Sequence, residues 1–592
     1  MKNFFLYITL FFTLIVCAQN EQLAQNYFDK GDFEKALISY DELSKLMPYN
    51  SLYFQKRIDC NQQLQRFSIS EKLILERISN FKQGSLLVEL GYNYQLQKDD
   101  VRAKKQYDLA IERIKKTPTE VYGIASSFER KVILDYAILA YQTAMTIDTK
   151  LNFNYQMAIL YGQKGNTDLM IEKFLSESYT NPLILNSIKI QFLRFLTDDL
   201  NAVFTEKLKK ALLLRTQKNQ DVFWNEYLSW FFVQQKEFGK AFIQEKGIYK
   251  RNPETFSNIV NLAKLAIDED EPETAKEIFT FILDNTNDLD LKIEANRFLM
   301  KIKIDNATEK EFIGIGLDFD NLIKEFGFSP YTLSILKLQA HFVAFNLKNP
   351  EEGKTILKKI LELPLNEYQI ADIKMELGDI LLSQEKFNQA LILYSQVEED
   401  QKNDEISHEA SLKIAKTSYY QNDFVWASKQ LKTLKSAATQ LIANDAMDLF
   451  LLLNDNTVAD STQVALKKFA KADFLLYQNK TQDALVAFQN VLKENKTPEI
   501  EPITFLRIGK IYEKQGDFVS ALIQYQKIID NFKECIYIDE ANYFSAEIYN
   551  KQLKNIEKAK KYYEEIIFHH EDSIYFTDAR KKYRQLRGDK DI

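Results

Sequence analysis

Apolar side chains recur along this chain as pairs of helical stripes separated by a short turn. Residues 502–549 show the pattern most completely. On either side of the turn, small and apolar positions are spaced by one, three and four residues, as on one face of each of two helices: Leu506, Ile508, Gly509, Tyr512, Ala521, Leu522, Tyr525 and Ile528. Between the stripes, Gly516 suits the left-handed end of a helix and Asp517 suits the N-cap of the next one. The pattern predicts a helical hairpin.

The same register recurs through most of the chain, with a small residue where the two helices of each hairpin would cross. Clear repeats of it are Leu377-Gly378 with Ala390 and Tyr394, Leu90-Gly91 with Ala103 and Tyr107, and Leu23-Ala24 with Ala36 and Tyr40. A lone hairpin of this kind cannot bury its apolar face, so successive hairpins must stack on one another. The predicted fold is therefore all-α, an α-solenoid of stacked helical hairpins.

The clarity of the pattern divides the chain into segments, since it is strong near both ends and blurs in the middle. We expect a signal peptide at 1–18, an N-terminal array at 19–182, a middle array of partly degenerate repeats at 183–367, a C-terminal array at 368–576, and a capping helix with a tail at 577–592. The last repeat, with Ala546 and Ala559, carries one extra residue in its turn. A cap is expected because the last apolar face of a stack would otherwise be exposed to water.

Composition agrees with helices joined by short loops and argues against some partners. Of 592 residues, only 16 are Gly and 10 are Pro, whereas 42 are Phe and 31 are Tyr, which suits helices that interlock through aromatic rings. The formal net charge is −7, so the chain has no general attraction for nucleic acid or anionic lipid. Although 592 residues exceed one compact core, a solenoid escapes that limit because each hairpin contacts only its neighbours.

The first residues have the pattern of an export signal. Lys2 precedes an apolar run over 4–16 that is too short to span a membrane, and Cys17, Ala18 and Gln19 follow it. This arrangement predicts a secretory signal peptide cleaved after Ala18, with Gln19 as the mature start. The alternative is a lipobox, in which Cys17 would be lipidated. No later stretch reaches the length of about 20 apolar residues that a transmembrane helix needs, so we expect an exported protein that is soluble or held at the membrane periphery.

The alternation of small and large positions, with about 34 residues per repeat, resembles tetratricopeptide repeats over nearly the whole chain after residue 18. This resemblance implies a right-handed superhelix that binds other proteins. Residues 525–531 and 562–567 resemble second helices of bacterial envelope tetratricopeptide proteins, and residues 583–589 resemble the ending of large exported tetratricopeptide proteins of the Bacteroidetes. The narrower resemblance implies a periplasmic location, in association with the outer membrane.

A search for catalytic or metal-binding motifs finds no site. Only four histidines occur, and the adjacent His569 and His570 would point about 100° apart on a helix, which hinders sharing one metal ion. Gly314-Ile315-Gly316 lacks the third glycine and the preceding strand of a dinucleotide site. The sequence contains no serine-hydrolase, zinc-protease or phosphate-loop motif. We therefore expect no enzyme activity, no cofactor and no bound metal.

The inner surface of the stack is the remaining candidate. Exposed first-helix positions of each hairpin would line a concave groove that suits an extended peptide or a partner helix. In the C-terminal array these positions hold Asp379, Lys416, Tyr420, Asp473, Tyr477, Lys510 and Lys514. For each of them, the alternative is an ordinary exposed side chain.

The hypothesis is a non-catalytic protein-binding scaffold of the cell envelope, with a protein or peptide as its partner and no binding of nucleic acid. One alternative is an accessory factor of outer-membrane assembly or protein secretion. Another, from a different class, is an envelope enzyme that carries a helical solenoid. An enzyme would need a separate catalytic domain, whereas every long segment of this chain has the repeat pattern.

Overall fold

In the computed structural model, every regular element of the described residues is helical. The structure describes residues 20–198, 203–219, 221–402, 404–437, 439–459, 462–495 and 497–587. Within these ranges the predicted all-α fold of stacked helical hairpins is confirmed. The expected export signal, with Cys17, Ala18 and Gln19, and the tail after residue 587 lie outside the described residues.

The described residues form two compact units, each built from helical hairpins. Unit 1 covers the residues up to 198 together with Phe204–Leu214, and unit 2 covers Val203 and the residues from Arg215 onward. The helices before residue 219 are α1 (20–29), α2 (Phe33–Leu46), α3 (Ser51–Gln63), α4 (Phe67–Phe81), α5 (Ser85–Leu96), α6 (Asp100–Lys116), α7 (Val121–Arg130), α8 (Leu134–Ile147), α9 (Asn154–Gln163), α10 (Thr167–Thr180), α11 (Leu185–Asp198) and α12 (Val203–Lys218). The division into arrays at residues 182 and 367 stays a prediction.

Unit 2 continues the alternation of first and second helices. Its helices are α13 (Val222–Gln234), α14 (Phe238–Arg251), α15 (Ser257–Asp268), α16 (Pro272–Asn285), α17 (Leu289–Asp305), α18 (Phe312–Phe326), α19 (Leu333–His341), α20 (Pro350–Ile360), α21 (Glu367–Ser383), α22 (Phe387–Asp400), α23 (Glu405–Tyr420), α24 (Phe424–Ala437), α25 (Gln440–Ala459), α26 (Val464–Tyr477), α27 (Thr481–Glu494), α28 (Ile500–Lys514), α29 (Phe518–Asn531), α30 (Ile538–Glu547), α31 (Ile556–His569) and α32 (Phe576–Arg587). Short 3-10 turns at Pro118–Glu120, Pro182–Ile184, Glu309–Glu311 and Pro330–Thr332 precede α7, α11, α18 and α19.

A small residue of the first helix meets a tyrosine of the second helix in several hairpins. A β-carbon at Gly91 would lie 2.6 Å from Tyr107 Cδ1, and one at Gly378 would lie 2.9 Å from Tyr394 Cζ. Both tyrosines are buried. The small residue predicted at the crossing is confirmed, and the structure adds that the large ring of the second helix lies directly over it.

The buried tyrosines also hydrogen-bond back to their first helix. The Tyr107 hydroxyl donates to Gln95 Oε1 at 2.7 Å, and the Tyr141 hydroxyl donates to Glu129 Oε1 at 2.8 Å. Each acceptor is near the end of the first helix, so the hydroxyl joins the two helices close to their turn. A buried hydroxyl needs such a partner, since leaving it unpaired is costly.

The turn inside the hairpin has the geometry that its residues predict. Gly516 adopts φ +78°, which is the left-handed conformation that glycine tolerates. Asp517 Oδ1 then accepts a hydrogen bond from the Ser520 backbone N–H at 3.1 Å, as an N-cap should. The hairpin predicted around these two residues is therefore confirmed at its turn.

Two first helices end in a π turn. Phe342–Asn346 and Ile548–Gln552 are π-helical, and the Leu553 N–H donates to the Ile548 carbonyl, five residues back, at 3.0 Å. A π turn accommodates one residue more than an α-helical turn does. The extra residue predicted in the last repeat is therefore located in this π turn.

Helix α25 interrupts the alternation. It packs on α24, as the first helix of a further hairpin would. The next helix, α26, packs on α23, which is the first helix of an earlier hairpin. The Tyr477 hydroxyl donates to the Asp379 carbonyl oxygen at 3.1 Å, and Gln478 Nε2 donates to the Ser383 carbonyl oxygen at 2.8 Å. The first helices α21, α23 and α26 therefore meet at their C-terminal ends.

The apolar core follows each stack instead of gathering at one centre. In unit 1 a single cluster of buried residues extends from Phe54 to Leu160, and in unit 2 one extends from Leu412 to Ile548. Each hairpin thus buries its apolar face against the next, as expected of a solenoid. Over the part of the chain that the structure describes, no helix is both long and apolar enough to be a membrane span.

Candidate protein-binding cavity

The inner face of unit 2 encloses an open cavity of about 800 Å³ near its C-terminal end. Its walls come from α23, α25, α26, α28 and the start of α30, and from the turn before α32. Most of these elements are the first helices of hairpins, which the sequence predicts to face inward. The volume lies within the usual range of ligand sites. We refer to it as the unit 2 cavity.

An ion pair forms the floor of the unit 2 cavity. Arg507 Nε lies 3.3 Å from Asp473 Oδ1, and the Tyr419 hydroxyl donates to Asp473 Oδ2 at 3.1 Å. The Asp473 side chain is 15% exposed and that of Arg507 is 34% exposed. Asp473 raises the pKa of Arg507, and burial raises the pKa of the Tyr419 hydroxyl. Arg507 is therefore held as a cation, with further N–H groups in its guanidinium that can reach a ligand.

Two lysines at the sides of the cavity are also held by carboxylates. Lys416 Nζ lies 3.4 Å from Asp445 Oδ2, and Lys510 Nζ lies 2.9 Å from Glu540 Oε1. Lys510 also lies 4.7 Å from the centroid of the Phe544 ring, close enough for a cation–π contact. Both ammonium groups are partly exposed, so water weakens these pairs and a competing ligand can replace them.

A cluster of aromatic rings closes one end of the cavity. The ring centroid of Tyr420 lies 4.9 Å from that of Phe474 and 5.8 Å from that of Tyr477. Burial raises the pKa of both tyrosine hydroxyls, which keeps them neutral. These rings pack α23 against α26 and so determine how far apart these two walls of the cavity lie.

The opposite wall is formed by the start of α30 and by the turn before α32. Ser573 Oγ donates to Asp539 Oδ2 at 2.6 Å, and the Tyr575 ring stacks on that of Tyr543 with centroids 4.3 Å apart. Asp448 lies on α25 across from this wall. Burial, together with the negative charges of Glu540 and Asp445, raises its pKa.

The structure brings most of the predicted groove residues together. Those that line the unit 2 cavity are Lys416, Tyr420, Asp473, Tyr477 and Lys510. Asp379 lies outside it, since its carboxylate accepts hydrogen bonds from the Tyr394 hydroxyl and from Lys413. Lys514 is exposed at the end of α28, away from the cavity. Asp379 therefore joins helices to one another, and Lys514 does not line this cavity.

Sequence reasoning missed several residues of the cavity. Asp445 and Asp448 come from α25, whose sequence departs from the repeat period. The period therefore could not show whether their side chains face the inside of the stack. Tyr575 belongs to a turn, which the positions on a first helix do not cover. Arg507 carried a usable signal, because it is a charged residue between two apolar residues of a first-helix stripe, Leu506 and Ile508.

A polar cluster also lies in unit 1, and it differs from the cavity. Lys131 Nζ lies 2.8 Å from Asp59 Oδ1 and 3.3 Å from Glu89 Oε2, and the Lys131 and Glu89 side chains are only 10% and 2% exposed. Burial alone would lower the pKa of Lys131, but these two carboxylates outweigh it and raise the pKa. Here the ammonium group of Lys131 is paired with both carboxylates, and little of the cluster is exposed to water. We interpret the cluster as a structural link between hairpins.

Two segments of the chain match the tetratricopeptide-repeat family, at residues 504–534 and 539–567. They correspond to the hairpin α28–α29 and to α30 with most of α31, whose first helices contribute to the unit 2 cavity. The chain therefore contains tetratricopeptide repeats, as the sequence pattern predicted.

Whole-chain comparisons add little to this match. The chain is similar to the solved structure of Naa15/Naa10 bound to HypK-THB, with 13% identity, 96% of each chain covered and a TM-score of 0.29. It is also similar to the crystal structure of the APC/C hetero-tetramer Cut9-Hcn1, with 12% identity, 91% of this chain and 97% of that chain covered, and a TM-score of 0.26. Scores of this size support no inference about function. No curated protein matches the sequence.

Proposed function

We propose that this chain is a non-catalytic protein-binding scaffold of the cell envelope, which holds a segment of a partner protein in the unit 2 cavity. Proteins with tetratricopeptide repeats bind other proteins, and the two matched repeats help to build the walls of this cavity. The observation that carries the proposal is the open space of about 800 Å³ on the inner face of these repeats.

Exposed apolar side chains at the cavity support binding of a protein segment. Ile536 and Ile574 are 56% and 85% exposed, and both belong to the cavity wall. Apolar side chains beside polar ones in a concave surface are typical of sites that a partner covers. A bound segment would remove both isoleucines from water, which favours association.

The state of the polar groups favours binding over catalysis. Arg507 is paired with Asp473, and Lys510 is paired with Glu540. Burial raises the pKa of the Tyr420 and Tyr477 hydroxyls, which makes them poorer nucleophiles at neutral pH. The paired charges and neutral hydroxyls can hold a ligand by hydrogen bonds without activating a reaction.

The envelope location rests on the signal peptide predicted at 1–18 and on the resemblance to exported tetratricopeptide proteins. Cell fractionation of the native host tests it, with the chain expected in the periplasm or with the outer membrane. Recovery in the cytosol would contradict the location and leave protein binding to be judged separately. A loss of outer-membrane proteins on deletion would favour the narrower role of an accessory factor in membrane assembly or secretion.

Site-specific photo-cross-linking tests the binding function directly. A photoreactive amino acid at Ile536, in the cavity wall, should capture a reproducible partner in intact cells. The matched control is Ile523 on α29, which is 51% exposed but lies outside the cavity. Equal capture at both positions, or no capture at Ile536, would contradict the proposal.

A further inference from the structure

The charges of the unit 2 cavity do not balance. Its lining contains six acidic and three basic side chains. Each basic side chain already has an acidic partner within the lining, as Arg507 has Asp473, Lys416 has Asp445 and Lys510 has Glu540. The remaining acidic side chains are Asp448, Asp539 and Asp572.

None of these three carboxylates lies within ion-pairing distance of a basic side chain among the described residues, although Arg507 and Lys510 lower the pKa of Asp448 from further away. Asp448 lies on α25, Asp539 lies in the first turn of α30, and Asp572 lies in the turn before α32. Asp539 accepts hydrogen bonds from the Ser573 hydroxyl and from the Glu540 backbone N–H, but neither group carries a positive charge. The negative charge that no ion pair neutralises is therefore spread over three separate elements around the opening.

The negative charges are close enough to oppose one another. Burial and the carboxylates of Glu540 and Asp445 raise the pKa of Asp448, and together they outweigh Arg507 and Lys510, which lower it. A cation between α25 and the start of α30 would relieve this repulsion. Without a ligand, the chain thus has an unfavourable charge arrangement at its cavity. Binding sites commonly lower the stability of the free protein in this way.

Apolar surface accompanies the charge. Ile536 and Ile574 flank Asp539 and Asp572 in the chain, and both isoleucines are exposed. A small inorganic cation would leave these side chains in water, whereas a polypeptide segment can satisfy both kinds of surface. Nucleic acid and anionic lipid would meet like charge at the same wall.

We infer that the unit 2 cavity binds a cationic segment of a partner protein, in which lysine or arginine side chains alternate with apolar ones. The cationic groups pair with Asp448, Asp539 and Asp572, and the apolar side chains cover Ile536 and Ile574. This inference rests on the proposed protein-binding function and adds the chemistry of the bound segment.

Fluorescence anisotropy with the purified full chain tests the inference. The probe is a short labelled peptide in which lysines alternate with leucine and serine, and its matched counterpart has glutamate at every lysine position. The test variant carries Asp448→Asn, Asp539→Asn and Asp572→Asn. The control variant carries Asp268→Asn, Asp284→Asn and Asp483→Asn, which remove the same charge at exposed positions of unit 2 outside the cavity lining.

The lysine peptide should bind and the glutamate peptide should not. The test variant should bind the lysine peptide about tenfold more weakly, since each of the three lost, partly exposed ion pairs contributes a factor of about two. The control variant should change the affinity less than about twofold, because its charges lie away from the cavity. Asp448→Asn alone, which disturbs no hydrogen bond among the described residues, should show part of the loss and guards against misfolding of the triple variant.

Several results would overturn the inference. Equal binding by the test and control variants would place the cationic segment elsewhere on the chain. Preference for the glutamate peptide would mean that the cavity binds an anionic segment and not a cationic one. If neither peptide binds while photo-cross-linking at Ile536 captures a partner, the inference fails and the protein-binding function stands. Self-association that the test variant abolishes would assign the cavity to a second copy of this chain.

Discussion

Gly509 lies directly beneath the ring of Tyr525, so that a β-carbon at residue 509 would stand 2.9 Å from both Cδ1 and Cζ of the ring. Tyr525 is completely buried, and its hydroxyl donates to Glu513 Oε2 at 2.9 Å. The glycine therefore determines how closely α28 and α29 approach, and the tyrosine fills the space between them. Gly91 with Tyr107 and Gly378 with Tyr394 show the same relationship.

Gly509→Ala should destabilise the hairpin α28–α29 by about 1–3 kcal/mol, because the added methyl group overpacks the crossing. This cost exceeds the gain in helix propensity, which is about 1 kcal/mol. Native-state hydrogen exchange of the two helices is the suitable measurement, since a long repeat array does not unfold in a single two-state step.

Gly316→Ala is the matched control for this substitution. Gly316 lies in α18, and a β-carbon there would meet no atom within 4 Å. Its replacement should therefore stabilise the helix locally. If both variants changed the hydrogen-exchange protection of their own helices in the same direction and by a similar amount, the role assigned to Tyr525 would be contradicted.

Tyr525→Phe should cost about 1 kcal/mol, because it keeps the ring and removes the hydrogen bond to Glu513. Hydrogen exchange of α28 and α29 measures the loss. The control is Tyr331→Phe, whose ring is exposed and should tolerate the change. Burial raises the pKa of Glu513 and the Tyr525 hydroxyl opposes it, so the Glu513 pKa should rise further in the variant, as an NMR titration can show.

Glu547 should stabilise the C-terminal end of unit 2 in a pH-dependent way. Burial alone would raise its pKa, but hydrogen bonds from Lys582, Tyr563 and Lys551 outweigh burial and hold the pKa below 4.5. A carboxyl whose pKa is lower in the folded state contributes stability above its unfolded pKa, and loses it as pH falls through the folded pKa. Glu547→Gln should therefore lower the opening free energy of α30 to α32, measured by native-state hydrogen exchange at neutral pH, by an amount that shrinks below pH 4.5. A pH-independent difference in that free energy would contradict this.

Asp448→Asn should raise the stability of unit 2 slightly at neutral pH. Burial, Glu540 and Asp445 raise the pKa of Asp448 above its usual value near 3.8, so the unfolding free energy falls as pH rises from that value through the folded pKa. The asparagine variant cannot ionise and avoids this loss. The gain in the opening free energy of α25, measured by native-state hydrogen exchange, should vanish at or below pH 3.8. The control Asp268→Asn, at another exposed position, should show no gain. Destabilisation of the Asp448 variant at neutral pH would mean that its carboxylate is compensated.

The hairpins themselves were predictable because their contacts are local. Gly516 and Asp517 define the turn, and Gly509 and Tyr525 define the crossing, all within one repeat. The extra residue in the last repeat was visible by counting. Only the structure showed that a π turn at Ile548–Gln552 absorbs it, since a longer loop would satisfy the same count.

The candidate cavity was predictable only in part. Lys416 and Lys510 occupy first-helix positions of regular repeats, so their inward direction follows from the period. Asp448 belongs to an irregular stretch and Asp572 belongs to a turn. The repeat period therefore cannot show that either side chain faces the inside of the stack. Asp379 occupies a suitable position, yet its contacts with Tyr394 and Lys413 show that position alone does not make a side chain available.

The spacing of residues along the chain predicted that the chain is helical, that its helices pair in hairpins, and that a small residue lies at many of the crossings. These features depend on residues within one or two repeats of each other, and their spacing is written directly in the chain. Only the folded chain showed that α26, which follows the irregular helix α25, packs on α21 and α23. That packing depends on contacts such as the one between Gln478 and Ser383, 95 positions apart, for which a repeat period contains no information.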